Sequence, residues 1–224
     1  MQRIFNHLVQ RILSTAIALA LICGITAISA PVVAAQSGAP TSSGRESIVL
    51  AGGCFWGMEA VFGALEGVSS ALPGYAGGNA ATAHYEIVST GMTGHAEAVE
   101  VRYDPARISL RTILKIFFTI AHDPTQRDRQ GPDTGKQYRS AIFYRNDEQK
   151  RAALAYIREL DESKAFAAPI VTTLEALAAF FPAEEYHRDY VARHPSDPYV
   201  AFNDLPKLRA LRERYPALVR GAVK

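Results

Sequence analysis

The sequence holds 224 residues, 48% hydrophobic, 21% charged and 9% aromatic, proportions that suit a globular chain with one buried core and exclude a fibrous or disordered class. Lys and Arg number 24 against 22 Asp and Glu, and so small an excess excludes the basic surface that nucleic acid requires.

Residues 1–35 read as an export signal, with residues 47–193 as the folded domain. Arg3 and Arg11 flank an uncharged run, residues 12–30, that lacks a helical amphipathic period. The run is long enough for a membrane span, so an uncleaved anchor is the alternative. Ala, Ser, Thr and Gly dilute it, and "PVVAA" before "QSGAPTSSG" places small residues before a cut after Ala35, with residues 36–46 as a flexible linker. Cleavage removes two arginines, no acid and Cys23, which leaves zero net charge and one cysteine, Cys54. Export implies an oxidising compartment, the bacterial periplasm, where cysteines normally pair. A lone thiol there is either a small apolar core residue or a reactive group.

Residues 47–51, "SIVLA", are short, apolar and β-branched and predict a buried strand ended by Gly52-Gly53. Met58, Val61, Phe62 and Leu65 recur at three and four, so a helix follows until Gly67. Residues 68–78 predict a strand that runs into a glycine-rich loop lasting to about Gly94. "AEAVEVRY", residues 96–103, predicts a strand that ends at Asp104-Pro105. Ser109 is a predicted N-cap for a helix with Leu110, Ile113, Leu114, Phe117 and Phe118 as its apolar stripe. Residues 122–138 form a long polar connection, of the kind that is usually functional or disordered. A strand (140–144), a helix (147–160), a strand (169–177) and a last core helix (183–193) complete the domain. Residues 194–224, rich in Pro and Arg, are expected to pack on it as a C-terminal extension, with a short helix near residues 207–214. Adjacent strands alongside helical crossovers predict an α+β two-layer sandwich with a mixed sheet.

At the first turn of its helix Cys54 would feel unpaired N–H groups and the helix dipole, which favour thiolate. That effect, about 0.3–1 kcal/mol or roughly 0.2–0.7 pKa units, cannot by itself bring a thiol of pKa about 8.5 below neutrality. Phe55 and Trp56, the single tryptophan, are either core packing or the walls of an apolar pocket beside the sulfur. His95, His122 and His187 invite comparison with the base of a cysteine hydrolase, yet "GGCFWG" lacks the flanks of papain-like enzymes. A non-catalytic exported binding domain is the third class. No CxxC and no histidine pair with helical ligand spacing suggests a metal.

"GGCFWGMEAVF", "GYAGG", "TGHAEAVEVRYDP", "HDPT", "RQGPDTGKQYRSAIFY" and "AEEYHRDY" occur in this order across some 140 residues. Together they closely resemble the peptide methionine sulfoxide reductase A family. The resemblance implies the family's ferredoxin-like core and reduction of the S epimer of methionine sulfoxide, free or in oxidised proteins. It implies Cys54 as nucleophile, Phe55 and Trp56 as holders of the substrate methyl, and Glu97 as proton donor to the sulfoxide oxygen. Tyr85, Asp133 and Tyr138 match the polar groups around that oxygen. The chemistry suits these types, because a sulfoxide oxygen departs only when protonated and needs a carboxylic acid of raised pKa.

Two departures follow. Residues 55–224 contain no cysteine, so none of the family's resolving cysteines is present. An external thiol, thioredoxin-like, glutaredoxin-like or small, must regenerate Cys54, with no cofactor and a monomer as the default. "TAHYEIV" also lacks the proline that the family usually places before Tyr85, which removes that stiffening from its approach.

Overall fold

The computed structural model describes residues 44–221; the expected signal and most of the linker lie outside them. Strand β1 (Glu46–Gly52) leads into helix α1 (Phe55–Gly63), and β2 (Val68–Ala76) returns from it. A one-turn helix α2 (Tyr85–Val88) interrupts the glycine-rich loop before β3 (Ala96–Tyr103), helix α3 (Leu110–Ile116) follows, and its end widens into a π turn, Phe117–Ala121. The polar connection carries a small hairpin, β4 (Arg129–Gln130) and β5 (Asp133–Thr134). Strand β6 (Ser140–Tyr144), helix α4 (Asp147–Glu162), β7 (Thr173–Ala176) and β8 (Phe180–Pro182) come next. Two helices, α5 (Tyr190–Arg193) and α6 (Leu205–Arg214), close the order.

The six-stranded sheet runs β7-β6-β1-β3-β2-β8. Its centre, β6-β1-β3-β2, is antiparallel throughout, the arrangement of a ferredoxin-like βαββαβ core. The parallel pair β6–β7 makes the sheet mixed, and α4 supplies the crossover that a parallel pair requires. Helices cover one face over Ile48, Leu50, Val99, Val101 and Tyr103. The other face buries Val49, Ala51, Ala76, Ala98 and Phe143, with Leu177 and Phe180 packed on them. A central strand covered on both faces reads as a nearly continuous apolar run, which is why β3 lacks the clean alternation of a half-exposed strand.

Helix starts are chemically specified. Ser109 Oγ accepts from Thr112 N–H at 3.1 Å and Asn146 Oδ1 from Gln149 N–H at 2.9 Å, each satisfying an otherwise orphan donor. Along α4, Gln149, Ala153, Tyr156 and Leu160 are the buried residues, the four-three-four spacing of a core-facing stripe.

Residues 183–193 are not one helix. Glu184 and Arg188 are extended, a single 3₁₀ turn (Glu185–His187) lies between them, and Asp189 takes a left-handed φ of 50° before α5. Tertiary bonds outweigh helical propensity here: Asp189 N–H donates to both Glu59 carboxyl oxygens at 3.1 and 2.9 Å, and Glu184 accepts Tyr85 N–H at 2.9 Å. The strand expected over 169–177 shortens to β7, and the short helix expected near 207–214 begins at Leu205 with Pro206 in its first turn, a position where the missing N–H does no harm.

The junction between β1 and α1 depends on glycine. Gly53 has φ +91°, and a Cβ there would strike the Gln130 side chain, which is fixed by bonds to Asp123 N–H and the Asp123 carbonyl. Gly53→Ala is therefore expected to lower stability by about 1–3 kcal/mol. Urea unfolding checks this, and a change within about 0.5 kcal/mol, ordinary for a neutral surface site, would contradict it.

Candidate active site

Cys54 is the N-cap of α1, outside the helix proper, with φ −52° and ψ 126°. It is 9% exposed and opens onto a cavity of about 310 Å³ lined by Phe55, Trp56, Tyr85, Glu97, Asp133, Tyr138, Asp197 and Tyr199. The structure thus brings together all seven residues singled out in the sequence and adds Asp197 and Tyr199 from the C-terminal extension.

The resting thiol is not a thiolate. Burial pushes its pKa well above the ordinary value, and the nearby carboxyls of Glu97 and Asp204 add to this. The Trp56 backbone N–H and the Lys207 ammonium pull the other way without prevailing. The helix terminus does favour a negative sulfur, but desolvation in the cavity is the larger effect.

Glu97 belongs to β3 opposite Tyr75 and shares the helix-covered face with Val99 and Val101. The expectation for a lone strand glutamate is exposure to solvent; here the side chain is 2% exposed. Burial raises its pKa from an ordinary 4.5 to about 8, the Phe55 N–H at 3.1 Å opposes this, and Asp133 adds to it. No Lys or Arg pairs with Glu97 among the described residues, in contrast to Glu100 on the opposite face, which meets Arg102 at 2.7 Å and also Arg145. A buried carboxyl without a cation stays protonated near neutrality.

The aromatic wall is held from several sides. Trp56 Nε1 donates to His187 Nδ1 at 3.0 Å, and the indole stacks on Tyr190 with centroids 3.7 Å apart. Tyr199 meets its edge at 5.8 Å. His187 is buried against Phe55 and Tyr85 and stays neutral because burial lowers its pKa. Glu184 accepts Tyr75 Oη at 2.7 Å and Tyr85 N–H, so a tertiary bond from 99 residues away fixes the start of α2 in place of the missing proline. The Tyr85 hydroxyl is pushed up to about 12, chiefly by burial. Asp133 accepts the Tyr199 hydroxyl, and burial raises its carboxyl above the ordinary range. Tyr138 ends a 3₁₀ turn, Lys136–Tyr138, and its hydroxyl is likewise held neutral by burial.

The three histidines compared with a hydrolase base are engaged elsewhere. His95 Nε2 bonds the Asn79 carbonyl at 2.9 Å, and His187 receives Trp56. His122 lies between the Phe117 carbonyl at 2.9 Å and Ser140 Oγ at 2.7 Å, with its pKa lowered to about 4 by burial. A neutral ring there donates from Nδ1 and accepts at Nε2, a structural clamp behind Gly52. No cluster of His, Cys, Asp and Glu among the described residues has the geometry of a metal site.

Tyr199, Glu184 and Tyr190 carried no assigned role in the sequence reading, and His187 entered it only as a candidate hydrolase base. Three of them sit inside "AEEYHRDY", whose pattern was visible without showing which side chains face inward. Tyr199 lies in a Pro-rich tail, where no periodicity marks a buried aromatic.

A family profile described as peptide methionine sulfoxide reductase matches residues 46–218. The chain belongs to that family. Peptide methionine sulfoxide reductase MsrA 2 of Synechocystis is 53% identical over 185 residues, covering 83% of this chain and 86% of the relative. MsrA 2 of Mesorhizobium japonicum is 51% identical over 175 residues, covering 78% and 90%. Among solved structures, Mxr1 of Saccharomyces cerevisiae in reduced form superposes with a TM-score of 0.63 at 34% identity, covering 67% of this chain and 86% of that one. Methionine sulfoxide reductase A of Corynebacterium diphtheriae gives 0.59 at 34%, covering 70% and 77%. The α+β fold with a mixed sheet is shared with these enzymes.

The raised Glu97 pKa has a consequence for stability. The folded chain keeps a proton that the unfolded chain releases between pH 4.5 and about 8, so Glu97 lowers stability progressively as pH rises through that window. Glu97→Gln is expected to be more stable than the parent by an amount that grows, on the order of 1–4 kcal/mol, from pH 5 to pH 8. Denaturant titrations at both pH values test this; a difference that does not change with pH would mean Glu97 is ionised in the fold.

Proposed function

We propose that Cys54 is the nucleophile and Glu97 the proton donor with which this chain, an oxidoreductase of the methionine sulfoxide reductase family, reduces methionine S-sulfoxide. One observation carries the assignment: a buried, cation-free carboxyl with a pKa of about 8 faces the same 310 Å³ cavity as the cysteine.

The cavity suits the substrate. The methyl and thioether need an apolar wall, which Phe55 and Trp56 supply, while the polar S–O bond needs donors, which Glu97, Tyr85 and Tyr138 supply in protonated form. Tyr199 and Tyr190 hold the indole plane, and Asp133 holds Tyr199.

Cys54 sulfur forms a bond to the sulfoxide sulfur as Glu97 gives its proton to the sulfoxide oxygen. The thiol proton returns to Glu97, the oxygen passes to Cys54, and methionine leaves with Cys54 as sulfenic acid. Substrate sulfur is reduced by two electrons and Cys54 sulfur is oxidised by two. An acid with a pKa close to the working pH is effective in such a transfer, and the preformed cavity holds sulfur, acid and oxygen together.

Cys54 is the cysteine that the described residues hold. An external thiol therefore attacks the sulfenic acid, water leaves, and a second thiol releases the mixed disulfide. A thioredoxin-like, glutaredoxin-like or small-molecule donor satisfies this chemistry. The charge-flanked apolar run within residues 1–35 supports export to the periplasm, and in an oxidising compartment a dedicated donor is expected.

Single turnover with a methionine S-sulfoxide peptide and no reductant is expected to yield one methionine per chain and a 16 Da gain at the Cys54 peptide. Cys54→Ser abolishes both. Glu97→Gln lowers the rate by about 10²–10⁴ and removes the decline in rate that the parent shows as pH rises through about 8. Full activity of Glu97→Gln at pH 7 moves the acid role elsewhere, and equal turnover of both epimers overturns the reductase reading.

A further inference from the structure

Helix α1 contains a glycine, Gly57, in its first turn. Glycine inside a helix is unfavourable by about 1 kcal/mol relative to alanine, so its presence here calls for a packing reason. The structure supplies one: a Cβ on Gly57 would strike the Asp204 carboxylate and the Lys207 ammonium.

These two groups come from the C-terminal extension. Asp204 is fully buried, and its Oδ1 meets Lys207 Nζ at 3.4 Å. Its second oxygen, Oδ2, has no hydrogen-bond partner. The Lys207 side chain is only 19% exposed, although an unconstrained lysine would reach into water. Gly57 lies three residues after Cys54, so both are on one face of the helix start. The pair is therefore lodged against the turn that carries the sulfur.

The other titratable groups around Cys54 are acids and phenols. Glu97 comes from β3 and Tyr85 from α2, with Asp133 and Tyr138 from the β5 region and Tyr190, Asp197 and Tyr199 from the C-terminal side. Lys207 is the cation that acts on Cys54, in the direction opposite to Asp204, whose effect on the sulfur is the larger, and it partly offsets the burial that raises the Asp133 carboxyl. Negative charge sits on the Cys54 sulfur whenever its proton has left and the bond to the sulfoxide sulfur has not yet formed. Where the sulfur is largely withdrawn from water, a fixed cation offsets that charge more effectively than solvent can.

We propose that Lys207 is a positioning residue for the reductase reaction, a counter-charge for the Cys54 thiolate carried on the C-terminal extension and aimed by Asp204 through the gap left by Gly57. The proposal rests on Cys54 as nucleophile, yet its test does not depend on turnover. Asp204 opposes Lys207 at the sulfur, so removing either charge must move the ionisation of Cys54 in opposite directions.

The experiment measures the rate of iodoacetamide alkylation against pH in the full-length chain, read at the Cys54 peptide by mass spectrometry so that Cys23 does not contribute. Lys207→Met is expected to move the midpoint up by about one pH unit, Lys207→Arg to restore it, and Asp204→Asn to move it down. An unchanged midpoint in Lys207→Met, or displacement of Lys207→Met and Asp204→Asn in the same direction, overturns the proposal. Should Asp204→Asn fail to fold, the Met and Arg substitutions at Lys207 still decide it. Loss of S-sulfoxide turnover in the parent with these displacements intact would instead count against the reductase reading alone.

Discussion

The site depends on one constraint: a carboxyl group is buried against the start of a helix with, among the described residues, a single backbone N–H to satisfy it and no cation to ionise it. The bond from Phe55 N–H to Glu97 Oε2, 3.1 Å long, ties the middle strand of the sheet to the turn that presents Cys54. Glu97 can occupy that place only because β3 is central and its odd-numbered residues face the helices. The tight turn at Gly52-Gly53 is needed for the same reason, since the thiol must emerge at the N-cap directly beside the acid.

Magnitudes decide the protonation state. A helix terminus stabilises an adjacent anion by roughly 0.3–1 kcal/mol, whereas removing a carboxylate or thiolate from water can shift a pKa by about 3–5 units. Burial therefore sets the resting state of both groups, and the site waits as thiol and carboxylic acid. Such a pair has no net charge to desolvate when an uncharged sulfoxide enters. In the proposed chemistry a proton circulates from thiol to oxygen through one carboxyl, with charge appearing only transiently among Tyr85, Tyr138 and the C-terminal side chains.

Much of this was legible in the sequence, for identifiable reasons. The strand β1, the core of α1 and the helix α3 announce themselves through an apolar run, three-four spacing and the capping Ser109. Cys54, Phe55 and Trp56 lie at the junction of β1 and α1, whereas Glu97 in β3 was marked only by its place in "TGHAE" and the resemblance that motif carries. Residues 183–193 misled, because their extended and left-handed backbone is fixed by Glu59 and Tyr85, contacts 130 and 99 residues distant. Tyr199, Asp204 and Lys207 escaped for a related reason: in a tail without periodicity, nothing local marks which polar side chains turn inward. Gly57 was the available clue, a helical glycine whose partner is invisible until the fold is known.

The account turns on Glu97 being a neutral acid in the folded chain at neutral pH, and infrared spectroscopy observes that state directly. The difference spectrum between the parent chain and Glu97→Gln should show a protonated carboxyl C=O band at pH 7 that disappears with a midpoint near pH 8. A band that is already lost by pH 6, with a midpoint near the ordinary glutamate value of about 4.3, would show an ionised Glu97 and contradict its role as the proton donor.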